Sequence, residues 1–112
     1  MTAETYTGLS VTVATDGSQV AIDLACKLAA SVGTDRTGVR IRRGTTTAAA
    51  LVGEFFDVLG VSAIALSRKY GTRDSPPPGS VTYGVFVLLA GGSGNVTWSP
   101  TAAAPAVLEV RL

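Results

Sequence analysis

A chain of 112 residues suits one domain with a single modest core. Only 15% of it is charged, against a usual ~25%, and the net charge is +1. No global field therefore draws nucleic acid or a membrane, and self-association into a homo-oligomer, a dimer or larger, is the expected way to cover a weakly charged surface. The absence of histidine and the single cysteine, Cys26, exclude histidine acid–base catalysis, Ser-His-Asp and Cys-His arrangements, histidine metal sites and any internal disulfide.

Residues 9–14 are rich in Val and Thr and read as a strand. The run stops at Asp16-Gly17-Ser18, with Ser18 as an N-cap. This places an acid, a glycine and a hydroxyl at a strand end, where ligands bind in open α/β sheets. All three are also ordinary turn and cap residues. Residues 19–32 read as a helix, with Val20, Leu24, Leu28 and Val32 four apart on one face, Ala21 and Ala25 beside them, and Gly33 as the stop. Cys26 is expected to be a small buried hydrophobe.

Residues 38–43 alternate, Val39 and Ile41 against Arg40 and Arg42, and predict a half-buried strand that ends at Gly44. Thr45 or Thr46 caps a second helix reaching Leu59, with Leu51, Phe55, Val58 and Leu59 as its apolar stripe and Gly60 as its stop. Residues 61–66 form a short apolar run of the buried-strand kind. Pro76, Pro77 and Pro78 make residues 71–80 a loop. Residues 81–89 are open between strand, on their Val, Tyr and Phe content, and helix, on the Gly79-Ser80 start. Residues 91–104 read as loop with a brief strand at 96–98, and residues 106–112 as a last strand. The order β-α-β-α-β predicts an α/β domain, a small open, mainly parallel sheet flanked by two or three helices. No secretory leader or membrane-length apolar run is apparent, and with one cysteine a reducing, cytoplasmic setting is expected.

With these elements in place, the chain resembles a shortened universal stress protein. Residues 13–18 match that family's first strand ending in Asp-Gly-Ser. Leu66, Ser67, Arg68 and Lys69 stand where the family carries Gly-Ser-Arg-Gly. Gly79, Ser80 and Val81 stand where a Gly-Ser opens its last helix, and residues 104–111 are similar to its last strand. The resemblance implies a site for ATP or another adenine nucleotide. Asp16 would meet ribose or base beside Gly17 and Ser18. Gly79 and Ser80 would offer N–H and hydroxyl to phosphate, and Arg68 and Lys69 would add charge. Leu66 and Lys69 replace the two leading glycines, which implies weakened or absent nucleotide binding. The second strand and helix of the family are largely missing, and an extra Gly/Ser/Pro/Ala stretch precedes the last strand.

Seven of the nine cations, Arg36, Arg40, Arg42, Arg43, Arg68, Lys69 and Arg73, fall between residues 36 and 73. Asp35, Glu54, Asp57 and Asp74 lie among them, and the aromatic residues of the region, Phe55, Phe56 and Tyr70, do not alternate regularly with the cations as in single-strand binders. A solvated face laced with ion pairs is expected rather than a nucleic-acid surface, with an anionic small ligand as the other use of the charge. Two functions from different classes fit these features. One is a non-catalytic binding module similar to universal stress proteins, pairing with itself through the last strand. It requires a helix at residues 81–89 and Asp16 facing Gly79 across a cleft. The other is a homo-oligomeric structural or assembly subunit, for example of a phage-like particle, whose place would be the virion.

Overall fold

A computed structural model describes residues 2–112 and shows, among them, eight strands and no helix. The strands are β1 (Thr5–Thr15), β2 (Val20–Ala30), β3 (Arg36–Arg43), β4 (Ala50–Val58), β5 (Leu66–Asp74), β6 (Gly79–Gly91), β7 (Val96–Trp98) and β8 (Val107–Arg111). Every ladder is antiparallel. This corrects the α/β fold with a mainly parallel sheet and flanking helices, both as read from the element order and as implied by the resemblance. Among the described residues no helix is long and apolar enough to cross a membrane.

The expected helix at 19–32 is strand β2. Val20, Leu24 and Leu28 are four apart, and a spacing of four satisfies period 2 as well as period 3.6. Ile22 and Cys26 decide between them: Val20, Ile22, Leu24, Cys26, Leu28 and Ala30 are all buried, while Ala21, Asp23, Ala25, Lys27 and Ala29 are only half-buried. Gly33 therefore stops no helix. A Cβ there would lie 2.6 Å from the carbonyl carbon of Val61, so the glycine lets two backbones cross at one end of the molecule.

The expected helix from Thr45 to Leu59 is a turn followed by β4. Val52, Phe55 and Asp57 face inward and Leu51, Glu54, Phe56 and Val58 outward, with a shift in the pairing with β3 between Ile41 and Arg42. This irregularity breaks the alternation and leaves spacings of three and four that mimic a helix. The strand expected at 61–66 is displaced, since β5 begins at Leu66 and extends into the region expected to be loop. Residues 81–89 lie within β6, a strand buried on both faces from Tyr83 to Val87, which explains its unbroken apolar content. The brief strand at 96–98 and the last strand stand as β7 and β8.

The eight strands form two sheets, one ordered β1-β6-β3-β4, the other β5-β2-β7 with β8 also on β2. Since β5 lines one margin of β2 from Val20 to Leu28, β7 and β8 share the other. The chain passes between sheets at five of its seven connections, and the inner faces enclose one core that includes Ile22, Leu24, Leu28, Val39, Ile41, Tyr83 and Val85. Each such side chain contributes about 1.5–3 kcal/mol on burial.

The face assignment of β2 gives a direct test. Ile22→Asp would bury an unpaired carboxylate and is expected to destabilise by about 4 kcal/mol or more. Ala21→Asp places the carboxylate between Arg73 and Arg111, the two residues opposite Ala21, and is expected to leave stability within about 0.5 kcal/mol. Urea unfolding of the two variants reads the difference.

Candidate functional site

The two long sides of the sandwich differ in chemistry. On the side where β4 lies over β5, charged groups point inward. The Arg68 guanidinium donates to Asp57 at 2.6 Å, the Tyr70 hydroxyl donates to the same carboxylate at 3.4 Å, and the Phe55 and Tyr70 rings stack at 4.9 Å. At the far end of β5, Arg43 donates twice to Asp74, at 2.9 and 2.7 Å, and the Tyr83 hydroxyl donates to it at 2.7 Å. Burial pushes the Asp74 carboxyl up, but Arg43 and Tyr83 more than offset this and hold it below the usual carboxylate range. Burial, with Asp74 beside it, raises Tyr83. Inward-pointing charge is a device that keeps edge strands from pairing with other chains.

On the opposite side β1 and β8 carry no such guard. The eleven residues of β1, Thr-Tyr-Thr-Gly-Leu-Ser-Val-Thr-Val-Ala-Thr, contain no charge, and β1 is the edge of its sheet, paired with β6 alone. Its inward residues Leu9, Val11 and Val13 are only half-buried, as are Trp98, Ala106, Leu108 and Val110 of the other sheet. Shallow depressions open at the two ends of this side. One, of ≈ 430 Å³, lies between Leu9, Trp98 and Pro105. The other, of ≈ 450 Å³, lies between Asp16, Gln19 and Leu112.

The outer face of the four-stranded sheet is roofed. Phe86 points outward yet is fully buried, under the Tyr6 ring at 5.4 Å and the Arg42 guanidinium at 5.8 Å. Arg42 donates to Glu4 at 2.7 and 2.9 Å and to the Ala49 carbonyl at 2.6 Å, while Arg40 pairs with Glu4 and Glu54. The hydrogen bond from Arg42, with that from Arg40, holds the Glu4 carboxyl below its usual range against the effect of burial.

These pairs absorb most of the basic constellation. Arg40, Arg42, Arg43 and Arg68 are ion-paired and Arg36 lies over the Phe56 ring at 4.5 Å, which leaves Lys69 and Arg73 on the outer face of β5.

The expected nucleotide residues are only partly brought together. Asp16, Gly17 and Ser18 form the exposed turn from β1 to β2, and the Asp16 carboxylate accepts the Ser18 N–H at 2.9 Å, which lowers its pKa. Gly17 has φ 92°, and the Thr15 hydroxyl donates to the Pro77 carbonyl at 3.0 Å. Since Thr15 pairs with Gly79 and Ala14 with Ser80, both motifs lie at one end of the sheet. They meet through antiparallel pairing, and no helix start offers N–H groups there. Arg68 and Lys69 sit far along β5, opposite Cys26 and Ala25, with Arg68 turned in to Asp57 and Lys69 out. Cys26 is buried and its thiol is pushed up to about 11. The β1 edge is the feature that sequence reasoning missed. Its signal was the uncharged alternation of Leu9, Val11 and Val13 with Ser10, Thr12 and Ala14. Comparison of the chain with family models, curated proteins and solved structures finds no match.

The depressed carboxyls set the acid response. Asp74 and Glu4 lie below their ordinary values of 3.8 and 4.5 when folded. Their contribution is therefore complete above those values and is lost as pH falls through the folded ones. Unfolding free energy is expected to drop below about pH 4. Asp74→Asn is expected to cost about 1.5–3 kcal/mol at neutral pH and to flatten the acid limb, as read by urea titration at a series of pH values.

Proposed function

We propose that this chain is a non-catalytic structural subunit that assembles with copies of itself, as the shell or connector protein of a phage-like particle does. The observation that carries this reading is the long uncharged edge strand β1, left open on a molecule whose other side is guarded by inward charge. A second contact surface supports an assembly larger than a dimer. Phe56 and Val58, at 46% and 51% exposure, are neighbours on the outer face of β4, with Leu51 at 48% further along it beyond Glu54, at the opposite margin of the same sheet. A flat body with extents of 43 × 30 × 18 Å and contacts at opposite margins suits tiling into a closed shell or ring.

The wild-type chain is expected to run as a defined multiple of its own mass in light scattering and to form uniform particles or rings in negative-stain electron microscopy. Val11→Lys introduces the inward charge that β1 lacks and is expected to release smaller species with an unchanged circular dichroism spectrum. A wild-type chain that stays monomeric at high concentration would overturn the reading.

A further inference from the structure

Resting on the assembly reading, we infer that β1 pairs antiparallel with β1 of a second copy about a two-fold axis through Thr12, joining two four-stranded sheets into one of eight strands. The register is set by the strand itself. Ser10 to Thr15 pair with Gly84 to Gly79 without a break, whereas the register shifts between Tyr6 and Ser10, where Gly8 has φ 87°. The regular stretch is therefore residues 10–15. Around a two-fold axis, inner residues meet inner residues only if the axis passes through a residue rather than between two.

An axis through Thr12 sets Val11 against Val13 twice on the inner face and Ser10 against Ala14 twice on the outer. All of these lie within the regular stretch. An axis through Val13 sets Val11 against Thr15, and one through Val11 draws in Leu9 from the irregular segment.

The chemistry of the strand agrees with a copy of itself as partner. β1 has no charge to oppose itself. The Thr12 and Thr82 hydroxyls are already 2.7 Å apart, so the paired strands extend this into a row of four threonines, a favourable cross-strand combination. The half-buried Val11 and Val13, with Leu108 and Val110 on the facing sheet, become covered. β8 is the weaker edge, because it has five residues and presents Glu109 and Arg111. β4 carries the inward Asp57 and the irregularity opposite Ile41 and Arg42.

The test uses the full chain with Cys26→Ala. Facing residues in antiparallel strands have Cα atoms about 4.5–5.5 Å apart, within reach of a disulfide. Thr12→Cys alone is expected to convert to a disulfide-linked dimer under mild oxidation. Ser10→Cys alone stays unlinked but links when mixed with Ala14→Cys. Thr12→Lys or Thr12→Glu alone weakens self-association about tenfold, and mixing the two restores it. If oligomers persist in light scattering while Thr12→Cys forms no bridge, this pairing is overturned and the assembly reading stands. A chain monomeric at every concentration overturns both.

Discussion

Asp74 is the group on which the geometry of the molecule turns. It ends β5, at the margin of one sheet, and its carboxylate accepts from Arg43 of β3 and Tyr83 of β6, both in the other sheet. The contact spans the core, so it fixes how the two sheets lie against each other. It also fixes register. A slip of β5 by one residue would turn Asp74 out and drive Arg73 inward, leaving two charges without partners in a poorly solvated space. Asp57 repeats the arrangement from the opposite direction, reaching from β4 to Arg68 and Tyr70 of β5. A carboxylate, a guanidinium and a phenol thus tie β5 to the facing sheet at two points.

The asymmetry of the sandwich is a consequence. A chain of this length has apolar residues for one core only, and that core is deepest where the middle strand β2 faces the middle strands β3 and β6. The side held by ion pairs needs less apolar cover. The β1–β8 side has no inward ion pairs to close it, and its Val and Leu side chains are left half in water. Half-covered β-branched residues on an edge strand are costly for a monomer and favourable for an assembly, since pairing satisfies backbone groups and buries the side chains together.

The period of β3, the end of β1 and the positions of β7 and β8 were legible in the sequence because each shows a clean alternation or stands between clear breakers, whereas β1 begins at Thr5, four residues before the expected start. β2 was not. Its outward positions include Ala21, Ala25 and Ala29, small enough to pass as the flank of a helix, and its apolar positions include every fourth residue. Only Ile22 and Cys26 separate the two periods, and tertiary pairing with β5 and β8 decided between them. β4 failed for a different reason: the shifted register opposite Ile41 and Arg42 removes the alternation that would identify a strand. The Asp-Gly-Ser turn was correctly placed at the end of a strand, but it leads into another strand, so the same residues make a turn between sheets instead of the start of a helix. The ion-paired character of the basic region was legible from the acids among the arginines. The uncharged alternation of β1 was legible, but that β1 has a single neighbour depends on the strand order and not on any local pattern.

The division within β1 connects these features. Its first residues are tied down: Glu4, just before the strand, takes both Arg40 and Arg42, and Tyr6 lies on Phe86. The Thr7 hydroxyl then donates to the Val85 carbonyl at 2.8 Å where the register shifts. Beyond Ser10 the strand is regular and uncharged. The ionic roof anchors one half of β1 on the outer face of its own sheet, so the second half is held straight without any charge of its own. An edge strand fixed by its own charges would repel a copy of itself, and one fixed by contacts outside the pairing stretch does not. The cluster of Glu4, Arg40 and Arg42 therefore bears on assembly without touching the surface through which assembly occurs.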